Sequence, residues 1–128
     1  SVRRQRQMCI RDSSKTAEMV KYFTNCFLAT KVSFANEMDL VCGQIGIDYD
    51  KVVEYATYDE RLGKSHWAVP GPDGDYGFGG HCLPKDLSAI INQFDTYGLL
   101  EAVEEVNNQV REDRDWEHMV GRAVLEDE

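Results

Sequence analysis

The sequence has no CxxC pair. Its four cysteines, Cys9, Cys26, Cys42 and Cys82, stand 17, 16 and 40 residues apart, which excludes the ligand spacing of a structural zinc site, and no metal is expected. It also lacks an apolar run approaching the ~20 residues of a membrane-spanning helix. There is no apolar core of a signal peptide and no cleavage signature, so a soluble cytoplasmic protein with reduced thiols is expected. Cations are scarce as well: 14 Lys and Arg face 23 Asp and Glu, for a net charge of -9. That balance argues against nucleic acid as a partner, because phosphate-backbone binding needs clustered cations. A dinucleotide fingerprint is missing too. The nearest string, from Gly77 to Cys82, has no third glycine and no strand before it, so NAD is not held here in the usual way.

With 128 residues, 42% of them hydrophobic, the chain can bury one modest core. The charge is uneven: Arg3, Arg4, Arg6 and Arg11 against Asp12 give residues 1–12 a local +3 and leave -12 on the rest. Residues 1–13 therefore read as a leader foreign to the domain, and residues 14–108 as the domain itself. Residues 109–128 read as an acidic helical extension or linker.

Helical periodicity dominates, and the fold class is all-α. Met19, Phe23, Phe27, Thr30 and Phe34 recur every three or four residues, with no Gly or Pro before Gly43. This predicts one long helix capped by Ser13 or Ser14 and stopped at Gly43 or Gly46. Asp48 should cap a shorter helix with Val52, Val53 and Ala56 facing inward. Periodicity lapses between Asp59 and His81, where Pro70, Gly71, Pro72, Asp73 and Gly74 mark a turn-rich loop. A third helix follows Cys82 with Pro84 in its first turn and Gly98 as its stop. A last one starts near Leu99, carries Val103, Val106 and Val110, and continues weakly through Trp116, Met119, Val120 and Val124, with a break expected between Arg111 and Asp115.

The chemistry gathers in DYGFGGHCLPKD, residues 75–86. Its glycines let a backbone approach a ligand closely, and they lead into a helix that begins at or just after Cys82. A thiol placed there feels the positive end of the helix dipole and the nearby Lys85, both of which favour the thiolate. The bland reading is a glycine-rich helix entry with an inert cysteine. Lys21 and Asn25, four residues apart, share one face of the long helix. Lysines and asparagines at helix edges are common, so this pair alone says little. Cys26 and Cys42 lie in apolar patterns and read as buried thiols.

The string AEMVKYFTNCFLATKVSFANEM, residues 17–38, followed about 40 residues later by GFGGHCLPKD, residues 77–86, resembles the UDP-glucose/GDP-mannose dehydrogenase family from about Ser14 to Asn108. The resemblance implies the helical central domain of a larger α/β enzyme, lying between an NAD-binding and a nucleotide-sugar-binding domain and forming much of a homodimer interface. It implies oxidation of a sugar primary alcohol to a carboxylate in two hydride transfers to NAD, through a cysteine thiohemiacetal and thioester. Residue by residue, Cys82 corresponds to the nucleophile, with Lys21, Asn25 and Asp86 as its catalytic companions. Lys21, Asn25, Arg61, Phe78 and Gly79 correspond to substrate contacts, Arg61 reaching the neighbouring subunit's site. Cys82 and Lys85 fall where the nicotinamide would approach. The GPDG turn, residues 71–74, looks closer to UDP-glucose dehydrogenases than to GDP-mannose dehydrogenases, which leaves UDP-glucose as the expected substrate, with GDP-mannose and UDP-N-acetylmannosamine as alternatives. The isolated fragment is expected to be inactive, with Lys21, Asn25 and Cys82 converging on one side.

Two readings from other classes stand beside this one. The aromatic stripe of the first helix is broader than a small domain needs to cover, which suits a non-catalytic helical dimerisation module. A cysteine hydrolase pairing Cys82 with His66, His81 or His118 is the other, but His81, adjacent in sequence, is expected to point elsewhere, and no helix places His66 or His118 near the thiol.

Overall fold

The structure, a computed structural model, describes residues 2–114, with side chains from residue 14 onward. It is built of four α-helices: α1 (Val2–Gln44), α2 (Tyr49–Ala56), α3 (Cys82–Gln93) and α4 (Leu99–Val110). A single 3₁₀ turn, Glu60–Leu62, follows α2. No strand occurs among the described residues, in agreement with the all-α reading.

Helix α1 runs 43 residues without Gly or Pro before Gly43, so no residue of very low helix propensity interrupts it. Its start corrects the sequence expectation: Ser13 and Ser14 lie inside the helix, not at its cap. With good helix formers on both sides, a serine hydroxyl costs too little to end a helix. The end is as anticipated. Gly46 adopts φ +73°, and the Ile47 N–H donates to the Cys42 carbonyl at 2.9 Å, the left-handed glycine stop that satisfies a terminal carbonyl.

The periodic aromatics of α1 do not face the core. Phe23 is 73% exposed, Phe27 57% and Phe34 53%. The inward face is instead a stripe of small residues, Cys26, Ala29, Ser33 and Asn36, all buried. Small side chains let α3 and α4 approach α1 closely, and the Ser33 hydroxyl donates across that gap to the Val103 carbonyl at 3.0 Å. One cluster there joins Cys26, Ala29, Phe78, Leu87 and Val103. A second, further along α1, joins Ala35, Cys42 and Tyr49, with Val53 and Trp67 against it.

In α2 the Asp48 carboxylate accepts from the Asp50 N–H at 3.0 Å, confirming the cap. The inner face is narrower than expected, since Val52 and Ala56 are exposed and Tyr49 is the buried anchor. Its hydroxyl donates to the Trp67 carbonyl at 2.6 Å. Burial, reinforced by Asp39, Asp50 and Cys42, pushes this phenol up to about 12.

Helix α3 has Pro84 in its first turn, where a missing N–H costs nothing, and ends at Gln93 on an extended Phe94. Gly98 is therefore not its stop. It is the left-handed N-cap of α4, at φ +104°. Helix α4 breaks at Arg111, as its charge run suggested. The weaker stripe at Trp116, Met119, Val120 and Val124 lies outside the described residues, as does His118.

Candidate active site

The loop between the 3₁₀ turn and α3 is shaped by short-range bonds and then tied to α4. The Gly71 N–H donates to the Asp75 carbonyl and the Gly74 N–H to the Gly71 carbonyl, both at 2.9 Å. Val69–Pro70 is a cis peptide. Arg111, its side chain only 2% exposed, donates from Nη2 to Asp73 Oδ2 at 2.7 Å, and its Nε stands 3.4 Å from Asp75 Oδ2. The Asp113 N–H donates to Asp75 Oδ2 at 2.8 Å. The Arg111 guanidinium holds the Asp73 carboxyl below its ordinary value. For Asp75 the Asp113 backbone N–H is the main cause of a similar lowering.

This anchoring presents the glycine-rich string along one wall of a cleft of about 530 Å³. Val32, His66, Phe78, Gly79, Gly80 and Arg111 are among its lining residues. His66 stands at φ +68°. The Phe78 side chain itself is buried in the core, so what this residue offers the cleft is mainly backbone.

Cys82 is the first residue of α3 and is exposed. The His81 side chain makes no capping bond to this helix start. One turn on, Asp86 is fully buried. Asn25 Nδ2 donates to Asp86 Oδ2 at 2.6 Å, and Lys85 Nζ lies 3.2 Å from Asp86 Oδ1. The pair Asn25 and Asp86 joins the two sequence motifs across 61 positions of chain. Cys26, next to Asn25, points its sulfur toward the Asp86 carbonyl at 4.0 Å, and burial, followed by the Asp86 charge, pushes its thiol up. Cys26 and Cys42 are buried and Cys82 is exposed.

Lys21 is exposed on α1, one turn before Asn25. Arg61 lies apart from the cleft. Its side chain is 87% exposed and forked onto Asp59, with Nη2 to Oδ2 at 2.6 Å. It lines a smaller hollow with Phe27, Phe34 and Trp67, on the exposed aromatic side of α1.

Sequence reasoning missed four organising residues, of which Arg111 is described above. Lys31 is buried, donates to the Leu62 carbonyl at 3.1 Å, and places Nζ 4.7 Å from the Trp67 ring centroid, pinning the turn that carries Arg61. Asn36 accepts from the Gly77 N–H at 3.3 Å. Asn107 grips Phe78, and its spacing of four from Val103 and three from Val110 was the available signal.

A family model described as the UDP-glucose/GDP-mannose dehydrogenase family, central domain, matches residues 15–109. The chain belongs to this family. Among similar proteins, the UDP-glucose 6-dehydrogenase TuaD of Bacillus subtilis is 38% identical over 106 residues, 80% of this chain and 22% of TuaD. A UDP-glucose 6-dehydrogenase of Rickettsia bellii is 41% identical over 98 residues, 73% of this chain and 21% of that protein. The UDP-glucose 6-dehydrogenase AglM of Haloferax volcanii is 38% identical over 96 residues, 72% of this chain and 21% of that protein. The chain thus spans about a fifth of the length of the curated relatives it matches. No solved structure matches it. The family's central domain is consistent with what is built here: helices and a loop, with no βαβ unit among the described residues to cradle a pyrophosphate. No helix among the described residues is long and apolar enough to cross a membrane.

Proposed function

We propose that this chain is the catalytic centrepiece of a UDP-glucose 6-dehydrogenase, contributing the nucleophile for oxidation of the sugar C6 hydroxyl to a carboxylate. The observation that carries the reading is the Asn25–Asp86 bond, made to a fully buried carboxylate. It fixes the α1 motif against the helix that starts at Cys82, which is what a shared site requires.

NAD would supply hydride acceptance in both oxidations, held by a part of the enzyme outside these residues. The chain's own groups do the following. The Cys82 thiolate adds to the C6 aldehyde carbon to give a thiohemiacetal. Loss of hydride from that carbon and of the hydroxyl proton leaves a thioester, and water then cleaves the carbon–sulfur bond to release the carboxylate and the thiol. An amide nitrogen carries two N–H groups. With one Asn25 N–H committed to Asp86, the other remains to meet negative charge developing on the substrate oxygen, and the Lys21 ammonium is the second donor. Asp86 orients Asn25 and Lys85, and Lys85 with Cys82 would border the nicotinamide when NAD is bound. The Phe78–Gly79 backbone forms the sugar-facing wall of the cleft.

The test is a chimera in which residues 15–109 replace the matching segment of Bacillus subtilis TuaD. Such a protein is expected to form two NADH per UDP-glucose. A folded chimera that forms none would contradict the reading.

The same reading makes the aromatic face of α1 a homodimer interface, with Arg61 reaching the partner's site. Phe23, Phe27 and Phe34 leave more apolar surface open than a lone domain of this size normally does. In sedimentation, Phe23→Asp combined with Phe27→Asp should convert a dimer of the chain to a monomer of unchanged helicity. A wild-type chain that stays monomeric at high concentration would count against the interface.

A further inference from the structure

Asn107 is 2% exposed on the inner face of α4. Its Oδ1 accepts from the Phe78 N–H at 2.7 Å and its Nδ2 donates to the Phe78 carbonyl at 3.0 Å. One side chain therefore closes both main-chain groups of one loop residue, as a neighbouring strand would. The next peptide back is held from the other side. Asn36 Oδ1 accepts from the Gly77 N–H, while its own amide donates to the Val32 carbonyl at 2.8 Å.

Gly77 shows how closely the loop is moulded to this amide. Its φ is +71°, and a Cβ added there would fall on Asn107 Oδ1 and within 3.1 Å of Val110 Cγ2. The Phe78 ring is meanwhile sunk among Cys26, Ala29, Leu87 and Val103. Register is fixed as a result. Sliding the loop by one residue would leave a buried amide half-satisfied, and a buried polar group without its partner is costly. Gly79 and Gly80 follow directly on the cleft wall, and Cys82 starts α3 four residues beyond Phe78.

We propose that Asn107 is a positioning residue for nucleotide-sugar binding: through the Phe78 peptide, it sets the cleft wall against which the sugar is held. This rests on the reading of the Phe78–Gly79 backbone as that wall. Asn107 touches no reacting atom, so its loss should act on substrate affinity more than on turnover.

Two measurements test it. In the full chain, hydrogen exchange compares the Phe78 amide with the helical amides of α4. Asn107→Leu, close in size but without either hydrogen bond, should speed Phe78 exchange at least about tenfold, in keeping with an orphaned buried donor, and leave α4 protected. Gly77→Ala evicts the same amide from the loop side with no residue of α4 substituted, and should give the same signature if the α4 variant folds poorly. Unchanged protection of Phe78 in both variants would overturn the clamp. In the TuaD chimera, either variant should raise KM for UDP-glucose about tenfold or more, with kcat within about threefold and KM for NAD unchanged, the pattern of lost ground-state binding. An active parent chimera whose variants keep the parental KM, or lose kcat alone, overturns the positioning role and leaves the functional reading standing. An inactive parent chimera sinks the functional reading, and the positioning role with it.

Discussion

Replacing Cys82 with serine in the TuaD chimera should slow carboxylate formation by at least about a thousand-fold. A serine hydroxyl at that position has no paired base among the described residues and is a weak nucleophile, whereas sulfur is intrinsically far more nucleophilic than a hydroxyl oxygen. The first turn of α3 helps in a specific way. It places Cys82 at the helix start with its side chain exposed, so the sulfur is accessible to a substrate carbon. Binding should survive, because the change replaces one exposed side-chain atom at the start of α3 and leaves the Asn107 bonds to Phe78 in place. A Cys82→Ser chimera that produces carboxylate at the parental rate would remove the thiol from the mechanism. Steady-state NADH production and direct quantification of the uronate decide it.

Leu87→Ala should cost about 2–5 kcal/mol of unfolding free energy, the range for deleting a fully buried leucine from a core that relaxes only in part. Leu87 is 1% exposed and sits where α1, α3, α4 and the Phe78 ring meet. For a domain of this size such a loss is a large fraction of total stability. Because the same cluster seats Phe78, the variant should also loosen the glycine-rich loop before α1 melts. Urea denaturation followed by circular dichroism measures the first effect. A change under about 1 kcal/mol would mean that the cluster is not the core that supports the loop.

Much of this architecture was legible from residue order. The absence of Gly and Pro before Gly43 set the length of α1 toward its C-terminus, Asp48 announced α2, and Pro84 announced α3. What misled were residues with two uses. Serines at positions 13 and 14 suit a cap but also the interior of a strong helix. Gly98 suits a helix stop but here opens the next helix, since a left-handed glycine serves either end. The aromatic period of α1 is real, yet it marks an outer face. The core side is written in Cys26, Ala29, Ser33 and Asn36, small and partly polar residues that a search for hydrophobic periodicity ranks low. For the same reason the loop's anchors stayed hidden. Asn107, Asn36 and Arg111 are polar, and only tertiary contact shows that each is buried against backbone or carboxylate. The motifs around Asn25 and Cys82 could be read at once, but the bond between Asn25 and Asp86 that links them is a fact of packing.

The central claim, that carbon–sulfur chemistry at Cys82 carries the oxidation, is tested most directly by quenching the chimera with acid during turnover of UDP-glucose and mapping adducts by peptide mass spectrometry. The account predicts a UDP-glucuronyl thioester on the peptide containing Cys82 and none on those containing Cys26 or Cys42, whose thiols are buried. An enzyme that turns over at full rate with Cys82 unmodified at every quench time, and that keeps its rate when Cys82 is serine, would contradict it.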